Sequence, residues 1–372
     1  MENTTRANMS AAVTTATDDA QTLALISYYL NGVCGLAVIV LGLLGNAISL
    51  CVLLQGAMRS TMSTFLTALA VWDSLALLGT LLLITLPTLS TTFAHHVQPF
   101  VVVYVYPLCL VAQTATIWIV VSFTVMRYIA LCHQILAKSF STISRARTTI
   151  AIITLASFLF NMFRWFEYNI STPEVNDSNV SYAVRVTLSE FGNTYFIRKI
   201  FYRYLYPLLM LLIPTVIIVT LNIRLTIHIR RSEHMRKAMT ASVSKRPGNN
   251  VTRMLITVSM MFMACQIPAM VYNVAYSIGV DKHDSFGWNA LSEVRNFLVT
   301  FNSAINFVIY CLVGRKFKRN LKTIMKQKER KDVDCHQRKR IISKTTSRSL
   351  SLEEADMYKL LPLPTTTNDG EQ

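Results

Sequence analysis

The chain has 372 residues, of which 52% are hydrophobic and 15% charged, and its mean hydropathy is +0.39. Because soluble proteins are about a quarter charged, this composition argues against a soluble globular protein. The net charge of +16 would suit a nucleic-acid partner, but its uneven distribution along the chain argues against one.

Seven apolar segments follow one another along the chain. About 20 apolar residues cross the roughly 30 Å of membrane hydrocarbon, and backbone groups in lipid must be satisfied within the segment, which makes each segment a helix. We predict an all-α membrane protein, a seven-transmembrane helix bundle. The predicted spans are Val33–Leu54, Met62–Leu89, Phe100–Leu131, Thr148–Phe166, Tyr204–Ile229, Val251–Ile278 and Ala290–Val313.

Positive charge sets the orientation of the bundle. Of the 36 Lys and Arg, 28 lie in the loops and the C-terminal tail on one side, and eight lie on the other. Positive residues remain cytoplasmic, so the N-terminus is predicted outside and no nucleic-acid partner is expected. The predicted organisation is a glycosylated extracellular segment 1–27, a seven-span domain 28–313, an interfacial amphipathic helix 314–326 and a disordered cytoplasmic tail 327–372.

Modification signals agree with this orientation. Five glycosylation sequons lie on the predicted outer side, although sequons also occur by chance. They begin at Asn3, Asn8, Asn169, Asn176 and Asn179. Cys335 in the basic tail is a candidate for palmitoylation or, equally, a plain free thiol. The outer loop after span 4 contains no cysteine, so no disulfide is predicted to hold it.

Polar residues inside the spans recur at helical spacing. Cys109 and Arg127 are 18 residues apart. That separation is five whole turns, about 27 Å, so the two residues share one face. Gln113 and Thr116 lie close to the same stripe. Buried polar groups in a membrane face the bundle interior, where they serve a function or simply join helices by hydrogen bonds.

Spans 5 to 7 carry comparable features. Span 7 has a polar stripe: Asn296, Thr300, Ser303, Asn306 and Tyr310. Span 6 has a similar stripe: Phe262, Gln266, Ala269 and Asn273. Pro214 and Pro268 kink spans 5 and 6, and these kinks act as hinges or serve packing alone.

Six motifs in order resemble those of rhodopsin-like (class A) G-protein-coupled receptors, over roughly Leu25 to Lys326. They are Gly45-Asn46, Leu69-Ala-Val-Trp-Asp73, Met126-Arg-Tyr128, Pro214, Cys265-Gln-Ile-Pro268 and Asn306-Phe-Val-Ile-Tyr310. Within that family, the chain is most similar to invertebrate FMRFamide-type neuropeptide receptors. Three stretches support this assignment: Tyr106–Trp118, Phe123–His133 and Arg164-Trp-Phe-Glu-Tyr168.

The resemblance implies a ligand site at the outer mouth. A peptide ending in Arg-Phe-amide would need an acid for its guanidinium, and Glu167, Glu190 and Glu293 are available there. Alternatively, each of these acids is a solvated loop charge. The expected floor of the site is Cys109, Gln113, Gln266, Asn273 and Asn296.

The resemblance also implies signalling residues. The residues expected to serve activation and coupling to a heterotrimeric G protein are Arg127, Tyr128, Pro268, Asn306 and Tyr310. The family has a pocket for an allosteric Na⁺, and its counterparts here are Asp73, Thr116, Asn302 and Ser303. Na⁺ is the one cofactor that the resemblance implies. The alternative is that Asp73 is protonated and has only a structural role.

Several residues depart from the family pattern. Met126 replaces the acid that pairs with the motif's arginine, which predicts raised basal signalling or altered coupling. Asn222 stands where span 5 of the family usually has Tyr. Both cysteines of the family's outer disulfide are missing, and Val102 stands in place of the one on span 3.

The expected function is a receptor, not an enzyme, for a short amidated peptide at the plasma membrane. Its other expected partners are membrane lipids and arrestin, the latter through the Ser/Thr-rich segment Ser343–Ser351. The alternative is an atypical seven-span protein that binds a ligand or partner without activating a G protein.

Overall fold

The computed structural model describes residues 17–133, 135, 137, 141–171, 184–238, 247–277 and 285–327. Seven helices in this part of the chain are long and apolar enough to cross a membrane. They are span 1, Thr17–Leu53; span 2, Thr61–Leu89; span 3, Tyr106–Cys132; span 4, Ile143–Phe166; span 5, Phe196–Ser232; span 6, Thr252–Ala275; and span 7, Phe286–Val313. The predicted seven-span bundle is confirmed.

The helices vary in local geometry. Ordinary α-helix covers Gly35–Leu53, Thr61–Thr80, Leu86–Leu89, Tyr106–Cys132, Ile143–Asn161, Ile213–Ala238, Pro247–Ser277 and Phe286–Val313. Wider π-helical turns occupy Tyr28–Cys34, Leu81–Thr85, Phe196–Leu205 and Leu208–Leu212, and tighter 3₁₀ turns occupy Gly56–Met58 and Met162–Phe166. The π turns therefore lie in spans 1, 2 and 5, and such turns are frequent at functional sites.

Span 3 begins later than the sequence suggested. Short helices Thr91–His96 and Gln98–Tyr104 precede it, and the helix is interrupted at Val105. Pro107 lies in the first turn of span 3, where its missing N–H costs no helical hydrogen bond. The prediction of one helix from Phe100 was wrong because this proline favours a new helix start.

The outer loop after span 4 contains a β-hairpin that the sequence analysis did not anticipate. Strand β1, Tyr168–Ser171, pairs antiparallel with strand β2, Arg185–Leu188. Tyr168 lies opposite Leu188, and Ser171 lies opposite Arg185. Because of this hairpin, the protein is all-α only in its membrane-spanning part.

Span 3 runs through the middle of the bundle. Its side chains Val111, Ala115 and Ile119 are fully buried, and the helix packs against spans 2, 4 and 5. In contrast, large apolar residues such as Leu41 and Ile152 point outward, with more than 60% of each exposed. These outer faces suit lipid, and the polar stripe of span 3 faces the interior.

A helix at residues 315–327 follows span 7, at the position predicted for the interfacial helix. Within the compact unit Met1–Lys318, Phe317 is buried and its ring lies 5.6 Å from that of Tyr310. The second unit is Arg319–Gln372, of which residues 319–327 are described.

Several predicted sites lie outside the described residues. They are the sequons at Asn3, Asn8, Asn176 and Asn179, the lipidation candidate Cys335 and the phosphorylation segment Ser343–Ser351. The remaining sequon, Asn169, is exposed in β1, opposite Thr187.

Candidate functional site

A cavity of about 300 Å³ opens between the outer halves of spans 2 to 7. Five residues predicted for the ligand floor line it: Cys109, Gln113, Gln266, Asn273 and Asn296. They come from spans 3, 6 and 7, so the three polar stripes converge here. The wall also includes the apolar side chains of Leu110, Met210 and Val299. A mostly apolar pocket with a few convergent polar groups is typical of ligand sites.

Glu167, predicted to meet the ligand, is instead held within the protein and is not among the lining residues. It is 3% exposed, and one carboxylate oxygen lies 3.4 Å from Nη1 of Arg164. Its other oxygen accepts a hydrogen bond of 2.5 Å from the Tyr202 hydroxyl, which Arg164 also contacts. Spans 4 and 5 are therefore joined by a buried three-residue network, which we call the outer clamp.

The outer clamp also holds the hairpin. The backbone carbonyl of Glu167 accepts the N–H of Ser189 at 2.9 Å, and the Ser189 hydroxyl donates to the carbonyl of Phe166 at 2.5 Å. Gly192 packs directly on the Glu167 carbonyl, where any side chain would collide. These contacts hold the loop close to span 4, and the six described cysteines are all free thiols.

Glu293 also has a partner within the bundle. The side-chain amide of Asn31 donates to its carboxylate at 2.5 Å and to its backbone carbonyl at 3.1 Å. Asn31 in turn accepts at its own carbonyl from the Thr85 hydroxyl at 3.0 Å. Glu293 thus joins span 7 to spans 1 and 2, and Glu190 is exposed in the loop before span 5.

Two arginines that the sequence analysis did not propose as ligand residues line the cavity: Arg164 and Arg295. The Arg164 guanidinium lies 4.3 Å from the ring centre of Tyr202, and Arg295 lies 4.4 Å from that of Tyr272. The three-residue spacing of Arg164 and Glu167 could have indicated their ion pair, because such residues are neighbours on a helix.

Asp73 lies at the centre of a buried polar network below the cavity. It is fully buried, and its carboxylate accepts hydrogen bonds from Thr116 at 3.2 Å and Asn306 at 2.7 Å. Asn302 and Ser303 are buried as well. Of the predicted sodium residues, Thr116 and Ser303 therefore come together with Asp73 and the predicted coupling residue Asn306.

The oxygen atoms around Asp73 suit a hard cation. Its carboxylate and the hydroxyls of Thr116 and Ser303 are the type of ligand such ions prefer. Asn46 donates to the Ser303 carbonyl at 3.2 Å, but its own side-chain oxygen is buried without a hydrogen-bond partner among the described residues. These residues fit a bound Na⁺, which would supply a positive charge beside Asp73.

On the cytoplasmic side, Arg127 contacts span 6 directly. Its Nε donates to the Thr252 hydroxyl at 2.6 Å, and its Nη2 reaches the same oxygen. Thr252 is fully buried. Arg127 therefore has a partner in span 6, although Met126 stands where the family has an acid.

Two further hydrogen bonds join the cytoplasmic ends. Asn222 of span 5 donates to the Ser259 hydroxyl of span 6 at 2.8 Å, and Arg224 of span 5 donates to the Tyr128 hydroxyl of span 3 at 3.4 Å. We call the Arg127–Thr252 and Asn222–Ser259 pairs the inner latch. The sequence identified Asn222 as a departure but not Ser259 as its partner.

Pro268 and Tyr310 are two further predicted activation residues. Pro268 is inside the helix of span 6, between the cavity residues Gln266 and Ala269. Tyr310 is 1% exposed, and its hydroxyl has no hydrogen-bond partner among the described residues. Pro268 therefore lies at the level of the cavity, and Tyr310 lies near the cytoplasmic end of span 7.

These features define a multi-pass helical membrane protein in which one helix, span 3, links an outer cavity to an inner arginine. The family described as 7 transmembrane receptor (rhodopsin family) matches residues 45–310. The chain therefore belongs to the rhodopsin family of seven-transmembrane receptors.

Curated relatives include several neuropeptide receptors. The chain is 29% identical over 303 residues to the FMRFamide receptor of Drosophila melanogaster, covering 79% of this chain and 53% of that receptor. It is 27% identical to the sex peptide receptor of the same organism, covering 79% and 72%. It is 25% identical to an FMRFamide peptide receptor of Caenorhabditis elegans, covering 86% and 75%. The chain thus spans about half the length of the first of these receptors.

Proposed function

We propose that this protein is a plasma-membrane receptor for a short, amidated, FMRFamide-like neuropeptide and transmits binding to a cytoplasmic heterotrimeric G protein. The observation that carries the proposal is the single face of span 3. It places Gln113 in the outer cavity, Thr116 on Asp73 and Arg127 on span 6. The names of the similar receptors support a peptide as the ligand.

The proposed mechanism is a shift of an existing equilibrium. A peptide in the cavity contacts span 6 on both sides of Pro268, at Gln266 and at Asn273. Movement about this proline separates the cytoplasmic end of span 6 from spans 3 and 5. The Arg127–Thr252 and Asn222–Ser259 hydrogen bonds then break, and Arg127 becomes available to the G protein.

Na⁺ at Asp73 would favour the resting arrangement in this scheme. The network of Asp73, Thr116 and Asn306 lies between the cavity and the inner latch. A cation bound there with Ser303 and Asn302 nearby would hold spans 2, 3 and 7 together. Peptide binding and Na⁺ binding would then oppose each other, as linkage requires of two ligands that favour different states.

Lipids and arrestin complete the proposed partners. The residues 315–327 form a helix with basic side chains, which suits the anionic inner membrane surface. Glycosylation is proposed at Asn169 and at the outer sequons, whereas palmitoylation and arrestin recruitment are proposed for the tail.

The decisive experiment measures nucleotide exchange. The full chain would be purified into lipid nanodiscs with a heterotrimeric G protein, and GDP release would be followed with a panel of amidated peptides. Acceleration by a peptide supports the proposal. Peptide binding without acceleration would favour the alternative, a seven-span protein that binds its ligand without activating a G protein.

A further inference from the structure

The charged residues that line the cavity all carry positive charge. Within the described part of the chain they are Arg164 and Arg295, and no Asp or Glu lines the cavity. Arg164 is paired with Glu167 behind the wall, so Arg295 is the uncompensated charge of the lining. The remaining polar lining is neutral, so the cavity presents an electropositive surface to a ligand.

The neighbouring acids are directed elsewhere. Glu167 is bonded to Arg164 and Tyr202 in the outer clamp, and Glu293 is bonded to Asn31 of span 1. Two positions along a helix differ by about 200°. Glu293 and Arg295 therefore point to different sides of span 7, and Arg295 faces the cavity without that carboxylate beside it.

Arg164 retains a donor that the outer clamp does not use. A guanidinium has five N–H donors in a fixed planar arrangement. The contacts of Arg164 with Glu167 and Tyr202 both use Nη1. Its Nε is buried and has no hydrogen-bond partner among the described residues. A buried donor without an acceptor is unfavourable, but this Nε is closed to solvent, so a ligand would reach it only if Arg164 moved.

Arg295 is held in place by neutral groups. It lies over the Tyr272 ring, which stacks on Trp288 with ring centres 4.3 Å apart. Its Nε and Nη2 donate to the side-chain oxygen of Asn296 at 3.3 and 3.0 Å. No ion pair involves Arg295 within the described ranges. A fixed, uncompensated cation in a partly desolvated cavity favours an anionic partner.

We infer that the cavity receives an acidic side chain of the peptide, whose carboxylate pairs with Arg295. This inference rests on the proposed function, which makes the cavity the peptide site, and it names the chemistry of the ligand. It reverses the charge expected from the sequence, where an acid of the receptor would bind an arginine of the ligand. A peptide with Arg at the inserted position would be repelled by the Arg295 guanidinium.

The test uses a library of amidated tetrapeptides in which each position is fixed in turn as Glu, Gln, Arg or Phe. The library is incubated with the purified full chain in nanodiscs, and retained peptides are quantified by mass spectrometry. At one position, Glu should be retained about ten- to a hundredfold more than Gln, as expected for a charge-assisted pair. Arg should be retained least at that position.

Variants of Arg295 connect the preference to the cavity. Arg295→Gln should abolish the preference for Glu, and Arg295→Glu should convert it into a preference for Arg. The matched control is Arg198→Gln, because Arg198 is exposed outside the cavity and donates to Asn193 at 3.1 Å. This control should retain the wild-type preference. Melting temperatures of all variants establish that each one is folded.

Three results would overturn the inference: no library position at which Glu is retained more than Arg, equal retention of Glu and Gln at every position, or retention of no peptide at all. Persistence of the Glu preference in folded Arg295→Gln would overturn it as well. Nucleotide exchange separates this inference from the proposed function. Binding of acidic peptides without nucleotide exchange upholds the inference and contradicts G-protein transmission. Nucleotide exchange driven by basic peptides contradicts the inference and upholds G-protein transmission.

Discussion

The outer half of the bundle ties Arg164 to the carboxylate of Glu167, whereas the inner half ties Arg127 to the hydroxyl of Thr252. Both arginines are at membrane depth, yet they have different kinds of partner. Separating a buried ion pair costs about 3–5 kcal/mol, whereas a hydrogen bond to a charged group contributes about 1.5–3 kcal/mol. Coupling between two sites in one protein typically amounts to about 1–3 kcal/mol.

This difference indicates which contacts can change during signalling. In the proposed mechanism, each contact of the inner latch is therefore easier for a ligand to break than the outer clamp. The clamp would then be a fixed wall of the cavity, and the latch would be the switch.

Removing the charge of the outer clamp should destabilise the whole protein. Glu167→Gln leaves the Arg164 guanidinium buried without a counter-ion, at a cost of about 3–5 kcal/mol. We expect a large fall in the unfolding midpoint in detergent and in the amount of receptor at the cell surface. Glu190→Gln removes an exposed charge from the same loop and should change neither. A stable Glu167→Gln protein with impaired peptide binding would instead assign Glu167 to the ligand.

Weakening the inner latch should raise basal signalling with little loss of stability. Thr252→Val keeps the shape of the side chain but removes the oxygen that Arg127 contacts. Loss of about 1.5–3 kcal/mol from the resting state corresponds to an increase of about tenfold or more in the active population. Basal nucleotide exchange without peptide measures this increase.

Thr257→Val is the matched control for the inner latch. Thr257 lies on the same span, and its hydroxyl donates to the backbone carbonyl of Arg253 at 2.9 Å. Basal exchange in this variant should remain at the wild-type rate. Equal basal rates in Thr252→Val and the wild type would show that the Arg127–Thr252 contact does not restrain span 6.

Neutralising Asp73 should remove sensitivity to sodium. Asp73→Asn keeps one acceptor oxygen, which can face the Asn306 amide, and its NH₂ can donate to the Thr116 hydroxyl, but it lacks the charge that attracts a cation. In the wild type, replacing choline by Na⁺ at constant ionic strength should weaken peptide affinity by about fivefold, at the lower end of allosteric coupling. In Asp73→Asn the two affinities should agree.

Ser74→Ala is the control for Asp73. Its hydroxyl donates to the Ala70 carbonyl at 2.7 Å within span 2, so sodium sensitivity should persist. Wild-type affinity that does not change with Na⁺ would favour the structural alternative, a protonated Asp73.

The seven spans were predictable because each is an apolar segment long enough to cross a membrane. The cavity floor was predictable because helical spacing indicates which polar residues share a face. Cys109, Gln113 and Thr116 lie on one stripe in the sequence and line one interior path in the structure. Partners across spans were not predictable in this way. Nothing in the spacing of Glu167 and Tyr202, 35 residues apart, indicates their hydrogen bond.

Because partners across spans could not be predicted, the positive charge of the cavity could not be predicted either. Sequence position placed Glu167, Glu293 and Arg295 near the mouth, but only side-chain partners determine which charges remain available. Asn31 and Arg164 bind the two acids, and Arg295 remains on the cavity wall. The hairpin was missed because its two short strands are stabilised by pairing with each other rather than by a period within either strand.

The smallest effect is expected from restoring the family's acid beside Arg127. Met126 is half-buried, and an ion pair in such a position contributes about 0–1 kcal/mol. Met126→Asp should therefore lower basal nucleotide exchange by at most about fivefold. Met126→Asn, which adds polarity without charge, is the control and should leave the basal rate close to that of the wild type.

The effect of Met126→Asp should depend on whether the inner latch is intact. With Thr252 present, Arg127 already has a partner, so the new carboxylate adds little to the resting state. In the Thr252→Val background, the carboxylate becomes the substitute partner and should reverse much of the raised basal exchange. The two changes share Arg127, so their effects should be non-additive in a double-mutant cycle. Additive effects, or no effect of Met126→Asp in either background, would show that Arg127 is restrained by neither residue, and the distinction between clamp and latch would then fail at its inner end.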